Sequence, residues 1–221
     1  MTQLTTRFAQ GLYGITPQWD DKHRLLAAIE EACQGGMRVL QWRQKALSPA
    51  QALPLIHEVK AICHRYNCQF FINDSVQLAL DCKADGIHIG RDDGTVAEIK
   101  KACAAQGQNL LIGVSCYNDI ELAKQAINDK VDYLAFGALF ASSVKPDAVP
   151  ASLTLFAEAK TYMHDLGLAE DRYTALVGIG GIEQDNAVAV ISAGADSIAV
   201  ISGLFESDSI QATAQYFSNL F

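Results

Sequence analysis

Acidic, cationic and small polar residues recur where short apolar runs of this chain give way to polar sequence. Asp74 and Asp93 each follow such a run, and two carboxylates of this kind can share one hard cation. Mg²⁺ commonly takes only one or two protein carboxylates and completes its octahedron with water and substrate phosphates. Gln41, Arg43 and Lys45 alternate along one run, so an extended backbone puts all three on one side. Arg43, Lys45 and Lys145 come from different segments and could surround a diphosphate with positive charge. A solvated rim of mixed charge would look the same by spacing alone. Gly180-Gly181 and Ser202-Gly203 end two later runs, where backbone N–H groups could approach a phosphate closely. A Gly-Gly turn can equally be a tight connection.

The elements that must position these residues are legible in the apolar pattern, which switches between strand-like and helix-period segments. Strand-like runs fall at 12–16, 37–42, 69–73, 86–90, 110–115, 132–137, 175–180 and 197–202. Helical segments follow them near 22–34, 48–66, 76–82, 95–106, 119–129, 152–166, 185–193 and 209–220. Ser48-Pro49 is a good start signal, with Ser at the cap and Pro at the first helical position. Runs apolar on both faces belong to a buried parallel sheet. Eight strand–helix units in 221 residues predict an α/β fold, a single-domain (β/α)8 TIM barrel over residues 1–221. No GxGxxG turn follows the first strand, which disfavours an open dinucleotide-binding sheet. In such barrels chemistry sits where strands run into the following loops, and the polar residues above occupy those positions.

Composition narrows the function further. A net charge of -8 without a basic tract disfavours nucleic-acid binding. No apolar run approaches a membrane span, and the start lacks the order of a secretory signal, so a cytoplasmic location is expected. Six cysteines without paired spacing read as reduced, buried thiols. Cys63-His64-Cys68 falls in a helical stretch and is read as packing, not as a zinc site. His88 is expected inside the barrel, and His23, His57, His64 and His164 on solvent-facing helix surfaces. Cys116, beside Ser115, has no evident base and reads as a small apolar filler.

Seven stretches resemble the thiamine-phosphate synthase family: LQWRQK (40–45), FINDSVQLAL (71–80), ADGIHIGRDD (84–93), IGVSCYN (112–118), FGALFASSVKPDA (136–148), VGIGGI (177–182) and GADSIAVISGLF (194–205). The resemblance implies coupling of a hydroxymethylpyrimidine diphosphate to a thiazole phosphate. It places the pyrimidine diphosphate against Gln41, Trp42, Arg43, Gln44, Lys45, Asn73, Ser115 and Lys145, with Lys145, Ser115 and Arg43 nearest the chemistry. Trp42 points away from Gln41 and Arg43 by strand alternation and should pack under a helix. The thiazole phosphate would meet Ser142, Ser143, Val144, Gly181, Ile201 and Ser202. Asp74 and Asp93 would ligate one Mg²⁺ per subunit. The expected partners are small phosphorylated substrates, with a homo-oligomer left open and no nucleic acid or membrane. Departures from the family pattern occur at Pro17, Gln44, Arg91, Ala138, Ala141 and Val144. A thiazole tautomerase-like barrel and a non-catalytic phosphate binder are the alternatives.

Overall fold

A computed structural model of the chain describes residues 7–141, 150–168 and 173–221. Its eight strands are β1 (Gly11–Ile15), β2 (Val39–Trp42), β3 (Gln69–Asn73), β4 (Gly86–Ile89), β5 (Leu111–Tyr117), β6 (Tyr133–Phe136), β7 (Ala175–Ile179) and β8 (Ser197–Val200). All pair in parallel in sequence order, and β8 pairs with β1 to close the barrel. The outer helices are α1 (Lys22–Gln34), α2 (Pro49–Arg65), α3 (Val76–Asp81), α4 (Val96–Ala105), α5 (Ile120–Asn128), α6 (Thr154–Asp165) and α7 (Ala187–Ser192). After β8 come a short α8 (Ser202–Phe205) and α9 (Ile210–Ser218). Local chemistry fixes these starts. Gln51 accepts the Ser48 N–H ahead of Pro49, and Thr95 and Glu98 cap α4 reciprocally.

Two strand carboxyl ends differ from the sequence reading by two residues. β5 runs on to Tyr117 through a register shift between Ser115 and Tyr117. β8 stops at Val200, because Ser202 already opens α8. The solvent-facing histidines are where expected, since His23, His57, His64 and His164 are all exposed.

Period-two alternation sorts every strand into an outer and an inner row. The outer row joins the helices in a large core that includes Leu40, Phe70, Ile87 and Phe136. The inner row fills the barrel with Tyr13, Val39, Phe71, Leu111, Tyr133 and Val177. Gly86 and Gly113 make room for Phe71 and Tyr133. A Cβ at Gly86 would lie 2.2 Å from Phe71, and one at Gly113 only 1.9 Å from Tyr133. Phe8, ahead of β1, stacks 4.3 Å from the Tyr133 ring centroid and closes the lower end. The Gln69 side chain holds that segment, accepting from Ala9 N–H and donating to the Arg7 carbonyl.

The lower rim repeats one device three times. Asp85, Asp132 and Asp196 immediately precede β4, β6 and β8. Their carboxylates accept the N–H groups of Phe70, Ile112 and Leu176 on the preceding strands. Their own N–H groups donate back to the carbonyls of the same residues. Burial raises the Asp196 carboxyl above the usual carboxylate range, against the opposing pull of Leu176 N–H, Lys160 and Tyr173. A carboxylate raised by folding binds its proton more tightly in the native state. Its favourable contribution is therefore present below the unfolded value and lost as pH climbs through the native one. Stability of the parent relative to Asp196→Asn should accordingly fall as pH rises from about 4 through the raised native value. Denaturant titrations of both proteins across that range check this, and a flat or rising difference would contradict it.

Candidate active site

The inner row does not stop at the top of the barrel. It continues upward as Gln41 from β2 and Arg43 just past it, Asn73 from β3, His88 from β4 and Gly90 just past it, and Ser115 and Tyr117 from β5. On the far side it continues as Ile179 from β7 and, past the ends of β7 and β8, as Gly181, Ile201 and Gly203. These side chains line a cavity of about 610 Å³ at the carboxyl ends of the strands. Lys45, Asp74, Asp93 and Ser202 also border it.

The β2 wall is held by a strap to the loop after β1. Arg43 N–H donates to Thr16 Oγ1 at 2.8 Å, and Lys45 N–H donates to Gln18 Oε1 at 2.9 Å. Gln18 Nε2 returns a bond to the Arg43 carbonyl, and Gln44 Nε2 donates to the Pro17 carbonyl. Every second residue of the strap therefore presents its side chain to the cavity, as Arg43 and Lys45 do. This corrects two substrate-binding expectations. Gln44 does not line the cavity but ties the two loops together. Trp42, 3% exposed, lies in the outer core, because its parity in β2 is opposite to that of Gln41.

Gln41 is itself 3% exposed, and its Nε2 donates to Asn73 Oδ1 at 2.8 Å. Asp74 follows with a left-handed φ of 64°, a conformation that Asp and Asn tolerate better than other side chains. Its N–H donates to the His88 carbonyl, which locks the turn above β3 and β4. Asp93 Oδ2 accepts the Gly90 N–H at 2.8 Å. Burial, and next the neighbouring Asp93 carboxyl, raise Asp74 above the usual range, with Lys45 pulling the other way. Two like charges crowded together, with a lysine beside them, form a hard-oxygen donor pair that a divalent cation would relieve.

Beneath this wall a hydrogen-bonded chain runs out of the barrel. Tyr13 and Tyr133 hydroxyls meet at 2.7 Å, and the Tyr133 hydroxyl meets His88 Nδ1 at 2.8 Å. His88 Nε2 in turn meets Ser115 Oγ at 2.8 Å, at the cavity floor. His88 is thus inside the barrel as expected, stacked on Tyr133, yet it also faces the cavity. Tyr133 and Tyr117 were missed by the sequence reading, although Tyr117 stands two residues from Ser115 and Tyr133 pairs in register with Gly113. Tyr117 closes the β5 side, its hydroxyl accepting the Arg91 N–H at 3.3 Å under the Arg91 guanidinium. Cys116 points outward, is fully buried, and its thiol is pushed up to about 12 by burial, which fits a filler.

On the opposite wall, Gly180 and Gly181 have φ of 99° and 64°. A Cβ on Gly180 would lie 2.6 Å from Ala138 Cα, and one on Gly181 would lie 2.5 Å from the Ala141 carbonyl. Close approach of the loop after β6 therefore requires both glycines. Asn186 Nδ2 pins the turn by donating to the Gly181 carbonyl. Ser142, Ser143, Val144 and Lys145 lie outside the described residues.

A parallel eight-stranded barrel with a cavity of cations, carboxylates and amides over its carboxyl end defines a barrel enzyme of the phosphate-handling type. Comparison with known proteins gives the family. Residues 12–204 match the family model described as thiamine monophosphate synthase, and the chain belongs to that family. Thiamine-phosphate synthase of Bordetella avium is 50% identical over 211 residues, covering 96% of this chain and 94% of that one. The protein of the same name from Methylobacillus flagellatus is 44% identical over the full length of both. Among solved structures, thiamine phosphate pyrophosphorylase from Pyrococcus furiosus superposes with a TM-score of 0.79 at 27% identity, covering 96% of this chain and 95% of that one.

Proposed function

We infer that this chain is a transferase that joins an aminopyrimidine methyl diphosphate to a thiazole phosphate, forming thiamine phosphate and releasing diphosphate. The observation that carries this reading is the continuation of the inner row into one cavity. There Gln41, Arg43, Asn73 and Ser115 share a wall with Lys45, Asp74 and Asp93. In the reaction the bond from the methylene carbon to the diphosphate oxygen breaks, and its electron pair leaves with diphosphate. The thiazole nitrogen supplies the pair for the new carbon–nitrogen bond. No protein nucleophile is needed, so the chain must position two substrates and stabilise a departing anion.

Each residue has a task on that account. The Gln41–Asn73 bond fixes both amides in the orientation that reads the aminopyrimidine edge. Arg43 and Lys45, held by the strap, stand over the diphosphate. When the Tyr133 hydroxyl donates to His88 Nδ1, His88 Nε2–H donates to Ser115 Oγ. That proton order leaves the Ser115 hydroxyl to donate to a leaving phosphate oxygen. Asp74 and Asp93 would hold a Mg²⁺, which when bound supplies charge neutralisation at the diphosphate. The turn at Gly181 and the entry to α8 at Ile201 and Ser202 would face the thiazole phosphate. The activity is one of small soluble substrates, and we place it in the cytoplasm; no described helix is long and apolar enough to cross a membrane.

A tautomerase reading has one observation in its favour, the presence of His88 in the cavity. Both ring nitrogens are already bonded within the Tyr133–Ser115 chain, which suits positioning better than proton abstraction. The deciding experiment is incubation with both substrates and Mg²⁺, followed by oxidation of the product to fluorescent thiochrome. Product formation that stops on chelation of the metal is the expected result. Folded protein that binds both phosphates and forms no product would overturn the reading.

A further inference from the structure

Three cysteines from separate elements converge below the barrel, away from the cavity just described. Cys33 lies in the last turn of α1, Cys63 in the last turn of α2, and Cys68 one residue ahead of β3. Their sulfurs all lie within 4.8 Å of one another. The backbone brings them together. The Cys63 carbonyl accepts both the Tyr66 and Cys68 N–H groups, and Asn67 turns between them with a φ of 55°. Cys68 is thereby folded back beneath the end of α2, where α1 packs alongside. All three are buried, at 4%, 0% and 2% exposure.

Packing explains a buried cysteine; it does not explain three thiols meeting at one point. We propose that Cys33, Cys63 and Cys68 form a three-coordinate site for a trivalent thiophilic metalloid, of which arsenite is the accessible representative. Bonds of about 2.3 Å from sulfur to a pyramidal trivalent centre put the three sulfurs about 3.5 Å apart, so closure needs each sulfur to shift by less than about 1 Å. Charge selects the ligand. Three thiolates around a monovalent or divalent soft cation leave an anionic complex in the protein interior, which is costly to bury. The carboxylates that bear on the trio, Glu30 on Cys33 and Asp85 on Cys63, add to that cost. Arsenous acid is neutral and so is its tris-thiolate. Three As–O and three S–H bonds break, three As–S bonds form and three waters leave, with no change of oxidation state. Entry is from Cys68, which borders a second, open concavity of about 630 Å³ with His64 and Asp85.

The test uses the full-length reduced protein and sodium arsenite. Native mass spectrometry should show one arsenic per chain with the loss of three hydrogens. Each of Cys33→Ala, Cys63→Ala and Cys68→Ala should weaken binding by about 100-fold, as expected when one of several tethered ligands is removed. Cys103→Ala should bind as the parent does. Should a variant not fold, arsenite must still protect Cys33, Cys63 and Cys68, and not Cys103, from alkylation in the unmutated chain. The proposal is overturned by no bound arsenic, by arsenic retained at full affinity in any of the three variants, or by cadmium held where arsenite is not.

Discussion

Replacing Asp74 with Asn should lower the rate of thiamine phosphate formation by about 10²-fold or more while leaving the unfolding midpoint nearly unchanged. Asn is the informative substitution. Asp74 sits at a φ of 64°, where Ala would add roughly 1–2 kcal/mol of backbone strain and confuse stability with catalysis. Asn accepts that conformation and removes only the charge. The carboxyl is raised by burial and by Asp93, so losing its charge relieves a repulsion in the protein without metal. The fold should not suffer, whereas the diphosphate loses part of what neutralises it. The Mg²⁺ concentration for half-maximal rate should rise alongside. Steady-state rates across a Mg²⁺ series, paired with thermal melts, measure both quantities. Unaltered turnover with an unaltered Mg²⁺ requirement would remove Asp74 from the site.

Gly113→Ala should destabilise the protein by about 3 kcal/mol, through overpacking and broken buried hydrogen bonds. For a chain of this size that corresponds to a midpoint lower by about 6–12 °C. The new methyl would stand 1.9 Å from Tyr133, whose fully buried ring has neighbours on every side in Phe8, Tyr13, Phe71 and His88. Displacing Tyr133 breaks its bonds to Tyr13 and His88 together. The effect should reach Ser115 through His88, so kcat should drop even at temperatures where the variant is fully folded. A midpoint equal to the parent's would show that Tyr133 can move aside, and the account of the barrel interior would fail with it.

The barrel was legible because the β-runs are short and largely apolar, and several helices begin at a recognisable cap, as at Asp21, Ser75, Thr95 and Asp119. Alternation also predicted which side of β2 faces the cavity, and so placed Trp42 outside. Family motifs pulled Trp42 and Gln44 into the site by proximity in sequence, and the inner-row parity takes them out again. What escaped was whatever depends on distance across the fold. The four residues of α8 are too few to show a helical period. The strap from Gln18 to Arg43 joins loops whose pairing no local pattern announces. Cys33 stands 30 residues from Cys63, and only the packing of α1 on α2 unites them. The Tyr13–Tyr133–His88–Ser115 chain likewise draws one residue each from β1, β6, β4 and β5.

The aromatic ring of Phe8 has a practical corollary. The residue is 1% exposed and is held in place by the two bonds from Gln69 to its neighbours. It works as a cork, and a chain trimmed past it would expose Tyr13, Phe71 and Tyr133 to water from below. The same geometry makes this end the safe one to build on. Arg7 stands on the face opposite the cavity, so a fusion partner or surface tether joined at this end is expected to leave the mouth of the cavity open.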